Sequence, residues 1–207
     1  MEMKPLFTIA GLQFDFAGRP LFDDFSLTLG AGITWLRGDN GAGKTTLLKL
    51  AAGALAPRAG LLAIDGIDSA AAPLAYRLRS HYCGGDTPAL AWLTVRELLD
   101  VQLALYGPAG ADAAALDAQW HAFKLASVLD QPVTTLSLGQ HKKVQLALAL
   151  ALPVRLLLID EPFNGLDADA LAYLRAQLAD GARLARQCIV LTSHVAPDVP
   201  LARTMTL

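Results

Sequence analysis

The stretch Gly38-Asp39-Asn40-Gly41-Ala42-Gly43-Lys44-Thr45-Thr46 decides the fold. It is a complete GxxxxGK(S/T) string. The short apolar run Ile33–Leu36 precedes it, and a helical pattern follows through Leu47, Leu48 and Leu50 to Gly53. In a strand–loop–helix setting each residue type has a reason. Glycines let backbone N–H groups turn inward to cradle phosphate oxygens, and the helix N-terminus adds partial positive charge. Lys44 reaches the β- and γ-phosphates, and the Thr45 hydroxyl binds Mg²⁺. At average residue frequencies such a string arises by chance in roughly one chain of this length in a hundred. Gly38, Asn40, Gly41, Gly43, Lys44, Thr45 and Thr46 are therefore the candidate nucleotide-binding residues.

Working outward, the first third reads as strands: Leu6–Phe14, then Phe25–Leu29, then a turn at Gly30-Ala31-Gly32 into Ile33–Leu36. A strand and turn follow the first helix at Leu61–Gly66. From Pro88 to Asp130 strand character is lost. Thr94-Val95-Arg96-Glu97 is a capping box opening one helix, and Gly107-Pro108-Ala109-Gly110 separates it from the next. The last third alternates: a helix from Ser137, a strand Leu156–Ile159, a helix Asp167–Ala182 and a strand Cys188–Leu191. Such alternation predicts a mostly parallel sheet. The expectation is one α/β domain over 1–207, with a P-loop core at 1–85 and 146–207, an antiparallel strand layer near the N-terminus and an inserted helical lobe at about 86–145.

Composition narrows the partners. Of 207 residues 54% are hydrophobic and 17% charged, against roughly a quarter charged in an ordinary soluble domain. With 17 Lys+Arg against 19 Asp+Glu, a net charge of −2 and a pI of about 6.0, the electrostatic footprint of a nucleic-acid binder is missing. Mean hydropathy is +0.39, but the oiliest run, Val144–Ile159, is interrupted by Gln145, Pro153 and Arg155 and falls short of the ~20 apolar residues a bilayer span needs. The N-terminus carries no apolar h-region with a cleavage site, so a cytosolic location is expected. Cys83 and Cys188 match no zinc or redox spacing and read as buried thiols.

A second anchor is Leu156-Leu157-Leu158-Ile159-Asp160-Glu161-Pro162, an apolar strand ending in two acids. Ligands of parallel sheets sit outside the strands' carboxyl ends, which brings Asp160 to the Mg²⁺ and leaves Glu161 to orient water. Between the anchors lies Leu136-Ser137-Leu138-Gly139-Gln140, where Ser137 and Gln140 form another capping box at an exposed helix N-terminus.

That ordered set resembles the ABC-transporter ATPases, whose LSGGQ signature lies just before the acid-tipped strand. The resemblance covers essentially the whole chain. It implies that Ser137, Gly139 and Gln140 contact nucleotide, that Asn164-Gly165-Leu166-Asp167 is the D-loop, and that Thr192-Ser193-His194 ends in the switch histidine at the γ-phosphate. Phe16 falls where the family places an aromatic on adenine, although a core phenylalanine fits equally among Phe14, Phe22 and Phe25. Two departures stand out. Reading back from Leu93–Leu98, the family's glutamine after a short strand falls on Asp86, which either ligates Mg²⁺ through a shorter arm or couples the loop weakly to the nucleotide. Leu138 replaces the more frequent glycine at a loose position. His81, His121 and His141 show no ligand spacing and read as packing or solvated side chains. Lys142 and Lys143 read as a polar helix face.

The resemblance further implies a head-to-tail dimer, homo- or heteromeric, enclosing two Mg·ATP, with the signature of one subunit completing the site of the other. It implies integral membrane subunits docking at the helical lobe, and a location on the cytoplasmic face of the inner membrane. The short lobe and the thirteen-residue tail after His194 look like the compact ATPases of bacterial exporters. Two alternatives remain at this point: a nucleotide-binding regulatory module with little or no turnover, and a soluble ABC ATPase outside transport.

Overall fold

The parallel sheet predicted from the alternating pattern forms, and its strand order explains where the site must lie. In the computed structural model, which describes residues 5–16, 18–85, 90, 92–107 and 113–207, the chain opens with β1 (Phe7–Phe16), β2 (Arg19–Leu29) and β3 (Gly32–Arg37), followed by α1 (Lys44–Ala51). Next come β4 (Ala59–Ile64), β5 (Ile67–Asp68), α2 (Pro73–Arg77) and β6 (Ser80–Cys83), then the lobe helices α3 (Val95–Tyr106) and α4 (Ala113–Ala122). The last third holds α5 (Leu138–Ala151), β7 (Leu156–Ile159), α6 (Ala168–Leu178), α7 (Gly181–Leu184), β8 (Cys188–Thr192) and β9 (Arg203–Thr206).

Five strands, in the order β6-β7-β8-β3-β9, are parallel throughout, and β2-β1-β4-β5 form the antiparallel layer. Because β3, β6, β7 and β8 point the same way, the loops after Arg37, Cys83, Ile159 and Thr192 emerge along one edge. This is the edge at which open α/β sheets bind ligands.

Alternate residues of the central strands feed two cores. Leu157 and Ile159 of β7 and Ile189 and Leu191 of β8 pack with Val95, Trp120, Phe123, Leu146 and Leu150 on the lobe side. Leu156, Leu158, Cys188 and Val190 pack with Leu48, Leu50, Phe7, Ile9 and Ile64 on the other. Every residue of β7 and β8 is buried, and all but the terminal Thr192 are apolar, as expected of a sheet covered on both faces. Each such leucine contributes roughly 1.5–3 kcal/mol. One apolar cluster joins lobe to sheet, and α5 runs across the expected boundary at 145/146.

Local signals held at the caps. Thr94 and Glu97 close a reciprocal capping box on α3, and Ser137 and Gln140 do so on α5. At the other end of α5, buried Arg183 donates to the Leu150 carbonyl at 3.0 Å and to Gln187 at 3.1 Å, placing a cation at the helix C-terminus.

Three expectations are corrected. The helix expected over Asp167–Ala182 breaks at Asp180, whose carboxylate accepts from the backbone N–H groups of Ala182 and Arg183 and starts α7. The second strand begins at Arg19 rather than Phe25; register shifts against β1 and a left-handed Asp24 (φ 56°) hide its alternation. The residues after His194 are not a mere tail, because β9 pairs with β3 at the sheet edge.

Candidate functional site

The loop between β3 and α1 wraps a cleft of about 340 Å³ lined by Phe16, Gly41, Lys44, Thr45, Asp160, Glu161 and His194, with Leu21, Asn40, Gly43 and Thr46. Gly43 caps α1 in the left-handed region (φ 97°), and a Cβ there would press on Leu21 at 3.1 Å. Lys44 folds back over the loop, its Nζ donating to the carbonyls of Gly38 at 2.7 Å and Asp39 at 3.0 Å. The lysine thus places a cation over a loop whose backbone amides face the cleft.

The end of β7 delivers Asp160 into a set of hydroxyls. Thr45 Oγ1 donates to Asp160 Oδ2 at 2.6 Å, Thr192 Oγ1 donates to Oδ1 at 2.6 Å, and the Tyr82 hydroxyl lies 3.3 Å from Oδ2. Glu161 follows with a left-handed backbone (φ 48°), a conformation costly for a residue with a Cβ. Its N–H donates to Thr192 Oγ1 at 2.9 Å, which holds that turn. Its Oε1 stands 3.5 Å from His194 Nε2. His194 is held in turn by the preceding peptide, since the Trp35 indole N–H donates to the Ser193 carbonyl at 3.2 Å.

Thr45 and Asp160 offer hard oxygen donors side by side, and among the described residues no three His, Cys, Asp or Glu gather as a metal cluster. Such a pair fits a small hard cation whose remaining ligands are phosphate oxygens and water.

The signature residues do not line this cleft. Ser137 caps α5, accepting from the Gln140 N–H at 3.2 Å while Gln140 Oε1 accepts from the Ser137 N–H at 2.9 Å. Leu138 beside them is 92% exposed. A Cβ on Gly139 would meet the Gly165 carbonyl at 3.1 Å, which sets the signature against the Asn164–Asp167 loop. Lys142 and Lys143 do more than line a solvated face. Lys142 Nζ donates to the Asp160 carbonyl at 2.9 Å, and Lys143 pairs with Asp167, the cap of α6. Asp86 lies outside the described residues.

The other singled-out side chains stand apart from the cleft. The His81 ring bonds the Tyr106 hydroxyl at 2.9 Å, and burial lowers its pKa to about 4. His141, half-buried beside Lys142, is lowered too, by desolvation first. His121 is exposed on α4. Both thiols are free and buried, pushed up by desolvation to about 11 for Cys83 and about 12 for Cys188. Thr192, Tyr82 and Lys142 were not singled out for the site. They reach Asp160 across the tertiary structure, and no spacing in the chain announces them.

Residues 22–164 match the ABC transporter family model. The chain belongs to the ABC transporter family, as an ATP-binding, ATP-hydrolysing subunit. It is similar over nearly its whole length to a cytochrome c biogenesis ATP-binding export protein CcmA. The Paramagnetospirillum magneticum protein of that name is 37% identical over 99% of this chain and 92% of its own. That of Cupriavidus necator is 37% identical over 98% and 88%. A solved structure of the ATP binding subunit of an ABC transporter covers 92% of this chain and 80% of its own at 28% identity, with a TM-score of 0.81. A second, from Pyrococcus furiosus, is 18% identical with a TM-score of 0.75 and shares the fold. The reading as a binding module without turnover falls away with membership in this ATPase family. Among the described residues no helix is long and apolar enough to cross a membrane.

Proposed function

We propose that this chain energises an export step of cytochrome c biogenesis from the cytoplasmic face of the inner membrane, as one domain working in a head-to-tail pair under separate membrane subunits. The observation that supports this reading best is the Asp160-Glu161 turn, fixed by Thr45 and Thr192 beneath the P-loop with His194 beside it. Relatives named for export in cytochrome c biogenesis align over nearly the full chain. Membrane subunits would dock at the lobe, where Trp92 and Leu105 are exposed.

In the proposed reaction the backbone of Gly38–Gly43 and the Thr46 region cradle the phosphates, while Lys44 leaves its two carbonyls for the β- and γ-phosphate oxygens. Phe16, 54% exposed at the cleft mouth, stacks on adenine. Thr45 and Asp160 hold Mg²⁺, which when bound supplies electrostatic stabilisation of the phosphate oxygens; Asp86 is the further candidate ligand. Glu161 orients the attacking water from a turn whose left-handed backbone is held by Thr192. His194 steadies the γ-phosphate. Ser137, Gly139 and Gln140 of the second subunit close the site from the opposite side, which explains why this chain's own signature faces outward. Catalysis of this kind is mainly positioning and electrostatics.

Glu161→Gln tests the reading. It should bind ATP, fail to hydrolyse it and accumulate as a dimer in sedimentation with saturating Mg·ATP, and the tagged chain should co-purify with integral membrane proteins. A variant that hydrolyses ATP at the parent rate overturns the assignment.

A further inference from the structure

Tyr82 has no place in any of the motifs, yet it touches the centre of the site. Its hydroxyl lies 3.3 Å from Asp160 Oδ2, the same oxygen that accepts from Thr45 at 2.6 Å. The ring reaches there by folding across Gly84. A Cβ at Gly84 would lie 2.0 Å from the phenol oxygen and 2.3 Å from Cζ, so any larger residue at 84 displaces the ring. Tyr82 also lines a separate cleft of about 410 Å³, with Gly53, Arg77, His81 and Tyr106. Lys49 of α1 stands 5.9 Å from the ring centroid.

The carboxylate torsion of an aspartate is soft, so bonds to its two oxygens decide where they point. Thr192 holds Oδ1. Once the Thr45 hydroxyl turns to a cation it no longer donates to Oδ2, and of the bonds described here only that of Tyr82 continues to hold this oxygen. We propose that Tyr82 is a positioning residue for Asp160, setting the site's affinity for the divalent cation and making that affinity depend on where the ring sits in the neighbouring cleft. The inference rests on the reading of Thr45 and Asp160 as the metal-holding pair.

The test uses the full chain and a fluorescent ATP analogue, titrated with Mg²⁺ and, separately, in EDTA. Tyr82→Phe keeps the ring and removes the donor. It should raise the Mg²⁺ concentration needed for half-maximal tight binding about three- to ten-fold, the range expected for the net contribution of one ordinary hydrogen bond, and leave the affinity in EDTA unchanged. Gly84→Ala should do the same by pushing the ring aside, and the double variant should add nothing further. Asp160→Asn is the control, expected to raise the Mg²⁺ requirement more than either. If Tyr82→Phe matches the parent while Asp160→Asn does not, the role of Tyr82 is overturned and the metal pair stands. If Asp160→Asn also matches the parent, the reading of the pair itself fails. Additive effects of Tyr82→Phe and Gly84→Ala overturn the link through the ring.

Discussion

Thr192 Oγ1 donates to Asp160 Oδ1 at 2.6 Å and accepts the N–H of Glu161 at 2.9 Å. One buried hydroxyl at the end of β8 thereby fixes both acids at the end of β7. Thr192→Val keeps the shape and removes both bonds. The Glu161 N–H then lacks its partner, which costs about 1–3 kcal/mol of stability. Turnover at saturating ATP should fall about 100-fold, the loss expected from ~1 Å misplacement of a reacting group. Nucleotide affinity should change little, so paired ATPase and binding assays separate this variant from one that no longer holds nucleotide.

Phe16 meets its neighbour Phe14 edge-on, with ring centroids 4.9 Å apart, and is otherwise half in solvent. A core role would make Phe16→Ala destabilising; a stacking role would not. ATP affinity is expected to drop about ten-fold, within the 1–3 kcal/mol of one base–aromatic stack, with an unchanged melting temperature. A variant that melts early and binds ATP normally would return Phe16 to the core.

Lys142 ties the signature helix to the Asp160 carbonyl. Lys142→Met retains the apolar stem and deletes the charged donor. Since that donor restrains the peptide leading into Glu161, kcat should fall several-fold while the KM for ATP stays near the parent value. Steady-state kinetics over a range of ATP concentrations will show whether the loss lies in kcat.

His81 gives a pH signature. Its pKa is lowered to about 4 by burial in the folded chain, against about 6.5 when unfolded. The folded state therefore binds the proton less readily, and stability is lost as pH falls from the unfolded value towards the folded one. Between pH 8 and pH 5 this amounts to about 2 kcal/mol. Denaturant unfolding of His81→Asn should show a correspondingly flatter pH dependence over that interval, whatever its stability at pH 8.

How much of this was legible in the chain depended on whether the chemistry was local. The P-loop, the acid-tipped strand Leu156–Ile159 and the caps at Thr94 and Ser137 are each specified within a few residues, and each formed where the sequence put it. Helix α6 ended early because Asp180 reads equally well as a helical residue and as a cap, and its bonds to Ala182 and Arg183 decided the matter. Strand β9 offers little hydrophobic alternation and exists because β3 presents a free edge to it. Thr192, Tyr82 and Lys142 were unreadable for a related reason. They converge on Asp160 from β8, β6 and α5, segments 18 to 78 residues away along the chain.

Helix α5 begins at Leu138, just after its outward-facing cap Ser137, and ends buried at Ala151, with Arg183 gripping the Leu150 carbonyl of its last turn. It is a stiff rod of 14 residues, about 21 Å long at 1.5 Å per residue. A rod anchored at its inner end works as a lever: a tilt of about 5° moves the free tip by about 2 Å over that length. Lys142 attaches to the Asp160 carbonyl near the tip. Pressure on the signature from a neighbouring molecule would therefore reach the Asp160-Glu161 turn through the Lys142 bond, alongside the Lys143–Asp167 pair and the close approach of Gly139 to Gly165.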